Sequence, residues 1–167
     1  MLEVWERRTP EEANLFNPAF LASLLHEFAK EYSKQSGRGA PLTFFGPSLA
    51  AVLHGPTRSR LPYSTVTSLY EWLQDNEDLL IGFARRVQGI SPYYKEALRF
   101  ALQRETLSLA EGHAIQLGAN KGHFPANFIR DTTPETRDII ERNRFFARWF
   151  AKSGSEATIV AAWGLRP

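Results

Sequence analysis

Cysteine is absent from this chain, which excludes disulfides, thiolate metal sites and a cysteine nucleophile. Excess charge is lacking too: 20 Lys and Arg stand against 18 Asp and Glu, a formal net charge of +2. A protein that coats nucleic acid by charge alone needs pronounced basic clustering, so any DNA contact has to come from a local patch. No apolar run approaches the roughly 20 residues that span a bilayer. The N-terminus, Met1-Leu2-Glu3-Val4-Trp5-Glu6-Arg7-Arg8, has no basic segment leading into an apolar stretch, and so does not read as a signal peptide. The expectation is a soluble, cytoplasmic protein without membrane contact.

Catalytic patterns are missing as well. His26, His54, His113 and His123 never stand three to five residues apart and form no His-Glu-x-x-His pattern, which leaves a metal site little support. Glycines fall into neither of the phosphate-cradling arrangements, so an ATP-dependent process would need its nucleotide bound by another subunit. No serine sits in a Gly-x-Ser-x-Gly context. Glu11-Glu12 and Glu77-Asp78 are paired carboxylates, but they fall where first helical turns are expected and there complement the helix dipole. The reading is of a protein that is not an enzyme, with no cofactor of its own. An enzyme with a diffuse site is the least favoured alternative.

What the chain does have is apolar material: 43% hydrophobic and 13% aromatic residues in 167, enough for a true core. Asn17 and Pro18 open a helix whose Phe20, Leu21, Leu24, Leu25, Phe28 and Tyr32 share a face, with Gly37 and Gly39 ending it. A shorter helix near Pro47 carries Leu49, Val52 and Leu53, and Pro56 and Pro62 bracket a turn-rich connection. Ser64 caps a helix with Val66, Leu69, Tyr70 and Leu73; Leu79, Leu80, Phe83 and Val87 mark the next, ended by Gly89. Ser91-Pro92 starts a further one carrying Tyr94, Leu98, Ala101 and Leu102.

The period then changes. Leu107 and Leu109 alternate with polar residues, Glu111-Gly112 supplies a turn, and Ile115 and Leu117 alternate again, which predicts a short β-hairpin. Helix, turn, helix and hairpin in that order predict a winged helix; the plain alternative is a helical bundle with a hairpin attached. Residues 119–133 lack a period and read as a loop. Thr133-Pro134 opens a helix with Ile139, Ile140, Phe146, Trp149 and Phe150, and Ser155 a last short one with Ile159, Val160 and Trp163. The fold class expected is mainly α with a small β-hairpin: an arm over 1–13, a winged-helix-like domain over 14–118, and a C-terminal helical element over 134–167 packed on it.

Two kinds of binding surface are candidates. In a winged helix the recognition helix starts at Pro92, placing Lys95, Arg99 and Gln103 at i, i+4, i+8, with Arg85 and Arg86 on the helix before it. The turn Ala110-Glu111-Gly112-His113 is nearly neutral, unlike a wing that grips DNA, and the same helix face serves equally as solvated surface. For a protein partner, Arg58 and Arg60 flank Ser59 in the proline-bounded turn, and arginine suits an acidic surface or a phosphate. Phe145-Phe146, Trp149-Phe150 and Trp163 offer more apolar area than two short helices easily hide. Part of it therefore packs on the core, and Phe146, Trp149, Phe150 and Trp163 become candidates for a partner anchor. His54 is read as locking the turn in which it stands.

Several short motifs spread over the chain carry a resemblance. They are Asn14-Leu15-Phe16-Asn17-Pro18-Ala19-Phe20, Leu53-His54-Gly55-Pro56-Thr57-Arg58, Leu61-Pro62, Trp72-Leu73-Gln74-Asp75-Asn76 and Trp163-Gly164-Leu165-Arg166-Pro167. In their order and spacing the chain resembles, over roughly residues 14–167, the middle component of bacterial three-component ABC systems, the group that includes Lamassu anti-phage defences. The resemblance implies a non-catalytic linker between an SMC-like ATPase and an effector, usually a nuclease, that couples DNA sensing to effector activation. It transfers motif positions only, and assigns no role to Asn17, Pro18, His54, Pro56, Thr57 or Arg58. The alternative is a free-standing winged-helix DNA-binding regulator.

Overall fold

The computed structural model describes residues Leu2–Arg166, and half of its ten described α-helices begin on a side chain that caps them. Thr9 accepts from Glu12 N at the head of α1 (Pro10–Leu15). Asn17 Oδ1 accepts from Ala19 and Phe20 N at 2.9 and 3.3 Å at the head of α2 (Pro18–Ser36), where Pro18 lacks only an N–H that the helix leaves unpaired anyway. Gly37, at φ 73°, ends that helix in the left-handed region. After strand β1 (Ala40–Pro41) come α3 (Phe45–Val52) and α4 (Gly55–Arg60), then α5 (Leu69–Asp75), capped by Ser68, and α6 (Glu77–Leu80).

The long helix α7 (Phe83–Gln103) corrects the expected break at Gly89 and restart at Pro92. Phe83, Ile90, Ala97 and Ala101 are its buried residues, and their helical spacing runs through the proline without a shift of phase. Gln88, Gly89 and Pro92 are exposed, so the carbonyl that Pro92 leaves without a donor lies on the water side, where it is cheap. Local breaker residues lose here to continuous burial.

Strands β2 (Leu107–Leu109) and β3 (Ala114–Leu117) form the expected hairpin, with Leu107 opposite Leu117 and Leu109 opposite Ile115. Its turn uses positive φ at Gly112 and His113, and Ala110 N donates to Ala114 O at 2.8 Å. The sheet has a third strand: β1 pairs antiparallel with β3, Ala40 against Ile115, giving the order β1-β3-β2. Two residues are too short to show alternation, and Pro41 fits because it stands on an edge strand.

The chain then forms α8 (Ala126–Asp131) inside the segment expected as loop, followed by α9 (Pro134–Lys152), capped by Thr133, and α10 (Glu156–Ala162), capped by Ser155. The fold is thus mainly helical with one small antiparallel sheet. Helix α2 is its axis, packed on α9 and α7, with α3 against both of these. Leu21, Leu24, Leu25 and Phe28 of α2 meet Phe146, Trp149 and Phe150 of α9 in one continuous core. Across the same seam Asn143 Nδ2 donates to Leu24 O, and Arg144 and Arg148 pair with Glu27 and Glu31. None of the helices described is long and apolar enough to cross a membrane.

Candidate interaction surfaces

Arg58 is turned inward. Its side chain is 8% exposed, and it donates to Val52 O at 2.7 Å, Asp138 at 2.8 Å and Glu135 at 2.9 Å. It therefore ties the end of α3 and all of α4 to the first turns of α9. Arg60 stays at the surface, held two-point by Asp78 at 2.6 and 2.9 Å. His54 Nδ1 lies 2.8 Å from Thr57 Oγ1, a bond that fixes the start of α4. Burial, then the nearby Arg86 and Arg58 charges, lower its pKa. Arg142, just beyond Asp138, donates to the carbonyls of Pro62 and Leu61. The proline-bounded turn is therefore an internal joint fastened by Arg58 and Arg142, while Arg60 faces outward.

The aromatics are core. Phe146 is fully buried, and Trp149, Phe150 and Trp163 are each 1% exposed. A partner does not meet them as surface, which corrects the expected anchor. Two terminal helices would indeed leave them exposed, but α2, α5 and α7 close over the same cluster. Phe83 lies 4.7 Å from Trp163, Trp72 lies 5.6 Å from Trp149, and Phe146 lies 4.7 Å from Phe150, ring centre to ring centre. Trp149 Nε1 donates to Thr67 O at 2.7 Å.

On α7, Arg85, Lys95 and Arg99 are exposed. Arg86 is partly covered, its guanidinium donating to Leu79 O and Ile81 O and so capping α6. The Lys95–Arg99 face opens on a cavity of about 690 Å³ whose other wall is the N-terminal arm, including Glu3, Trp5 and Glu6. Arg8 fixes that arm through a two-point pair with Glu96 at 2.7 and 2.8 Å and a bond to Glu3 O. The face thus carries acid as well as base, and part of it is roofed by its own chain. No sequence signal pointed to Arg8, because its partner Glu96 stands 88 positions away on α7.

A second, more apolar cavity of about 300 Å³ lies between the α1–α2 junction and α8–α9, lined by Leu15, Phe20, Leu53, Phe128 and Ile139 among others. Glu27 is the most buried carboxylate. Burial pushes its pKa up, but the Arg144 hydrogen bond and charge and the Phe124 N–H outweigh that and hold it below the usual range. Glu27 is in this way a neutralised structural anion. Among the described residues no three His, Asp or Glu side chains gather where a metal ion could be held.

A mostly helical domain with a small edge sheet and clefts between its elements is the class of molecule these features define. Over residues 5–167 the chain matches the model of Middle Component 3 of the ABC-three component (ABC-3C) systems, and it belongs to that family. Membership in a multi-component system implies protein partners. No curated protein and no solved structure matches it.

Proposed function

We propose that this middle component is a non-catalytic linker of a bacterial anti-phage defence complex of the Lamassu type. It bridges an SMC-like ABC ATPase and an effector, a nuclease in this reading, and couples DNA sensing to effector activation in the cytoplasm. The observation that carries the proposal is the family match across almost the whole chain. The fold supports it in two respects. The first is a winged-helix-like reading, in which the helix-turn-helix expected across Gly89–Pro92 is one helix, α7. That reading takes α2, α3 and α7 as its three helices and β2–β3 as its hairpin, with α4, α5 and α6 inserted before the third helix. The cavities beside α7 and beside α8 are lined by different residues, so two partners have separate places to sit. A coupler must hold its partners with different affinity in two states, since only differential affinity shifts an equilibrium.

The test is the native mass of what a tagged copy recovers when expressed with the products of its neighbouring genes. A defined assembly containing a large coiled-coil ATPase is expected. A lone monomer or dimer under gentle, low-salt conditions overturns the linker reading. It would turn attention to the alternative, a free-standing DNA-binding regulator, which the exposed Arg85, Lys95 and Arg99 of α7 favour. Steep salt dependence of duplex binding by the isolated chain is that alternative's signature.

A further inference from the structure

Between the start of α2, the end of α7 and the loop at 120–123 lies a cavity of about 460 Å³ with no carboxylate in its lining. Its charged or ionisable side chains are Arg104, Lys121 and His123. None of the three has an acidic partner within 4.0 Å among the described residues, whereas Arg8, Arg58, Arg60, Arg144 and Arg148 each have at least one. The Arg104 guanidinium is steadied by the Phe100 ring, 5.3 Å away, which leaves its donors free.

The loop that supplies Lys121 and His123 is held at both ends. Asn120 N donates to Glu105 O at 2.9 Å, Asn120 Nδ2 donates to Arg104 O at 3.0 Å, and Phe124 N donates to the buried Glu27 carboxylate at 3.3 Å. Between these anchors, the N–H groups of Lys121, Gly122 and His123 have no acceptor within the described chain. Gly122 is required there: a Cβ on it would come within 2.7 Å of both the His26 ring and Thr106 Cβ. A fixed loop whose N–H groups have no acceptor in the described chain, beside cations without acidic partners, has donors to offer an anion. The adjoining His26 has its pKa lowered above all by burial; the Glu27 charge opposes this, and His123 and Lys30 add to the lowering.

We propose that this cavity is a phosphate-binding site, with Arg104 and Lys121 as its side-chain donors and the Lys121–His123 backbone as its floor. Its ligand is a phosphate group, either of a nucleic-acid backbone or of a free nucleotide. The site lies apart from Lys95 and Arg99, which line the cavity under the N-terminal arm.

The experiment titrates inorganic pyrophosphate into the isotope-labelled full chain and follows backbone amide resonances. Saturable shifts at Lys121, Gly122 and His123 are expected, with affinity at least tenfold weaker in Arg104→Gln/Lys121→Gln and unchanged in Lys95→Gln/Arg99→Gln. Lys121→Gln alone, at an exposed position without an ion pair, gives an intermediate loss and guards against misfolding of the double variant. Absence of saturation at those amides overturns the site. So does binding that Arg104→Gln/Lys121→Gln leaves unchanged. Competition then separates the sources: displacement by a short DNA duplex, weakening steeply with salt, marks a nucleic-acid backbone, whereas displacement by a nucleoside triphosphate alone marks a free nucleotide.

Discussion

Arg8 and Glu96, 88 positions apart in the chain, meet in a two-point ion pair that fastens the N-terminal arm to the outer face of α7. The Arg8 side chain is 2% exposed, and its Nε donates to Glu3 O. Replacing it leaves these groups without their donor. Arg8→Gln is expected to lower stability by about 1–3 kcal/mol in a urea melt and to make residues 2–8 sensitive to limited proteolysis. An unchanged melt with an equally protected arm would contradict the pinning.

The buried aromatics make a sharper demand. Trp149→Ala and Phe150→Ala each remove a side chain packed on all sides, at a cost of about 3–5 kcal/mol. Loss of the cooperative thermal transition is the expected result for the pair. If both alanine variants melted like the parent, the placement of α9 in the core would be wrong.

Arg58 and Arg60 separate by two positions and behave differently. Arg58→Ala strands the Val52 carbonyl and is expected to destabilise by about 1–3 kcal/mol, measured by denaturant titration. Arg60→Ala breaks only an exposed pair with Asp78, and no measurable change is expected. Equal losses in the two variants would refute the inward role of Arg58.

Lys95→Ala combined with Arg99→Ala tests function rather than folding. Both side chains are exposed and neither holds a partner element, so the melt should be unchanged. Under the linker reading the recovered complex keeps its mass and composition on native mass spectrometry. Intact folding with lost duplex affinity in the isolated chain would favour the DNA-binding regulator.

His26 gives the pH dependence. It is buried, its Nδ1 has no partner, and burial is the leading cause of its lowered pKa. A group whose folded pKa lies below its ordinary 6.5 contributes its full stability above that value. The contribution is lost as pH falls from 6.5 toward the folded pKa, by at most about 1.4 kcal/mol per pH unit. Glu27, held charged, does not titrate in that window. The melting temperature is therefore expected to drop between pH 7.5 and 5.5, and less so in His26→Asn. The same drop in both proteins would assign it elsewhere, with His54 the next group to test because its pKa is lowered in the same way.

The helices with local signals were readable from the chain. Asn17-Pro18, Thr133-Pro134 and Ser155 each place a hydrogen-bond acceptor one residue before a helix, and the hairpin announces itself by alternation from Leu107 to Leu117. What failed to show was what depends on a distant partner. The N-cap of α5 is Ser68 rather than Ser64, leaving Val66 91% exposed, because Leu69, Trp72 and Leu73 find the core from there. The phosphate site escaped the sequence for the same reason: Arg104 and Lys121 lie in a helix end and a loop without a period, and only the fold brings them together.

By itself the sequence determined the helical class, the caps at Asn17, Thr133 and Ser155, the hairpin and the family motifs, all of them properties of neighbouring residues. The tertiary structure decided which side chains have a partner. It turned Arg58 and the Trp149–Phe150 pair inward, carried α7 through Gly89 and Pro92, and left Arg104 and Lys121 without acids. Burial and pairing are set by contacts across tens of residues, and local periodicity does not encode them.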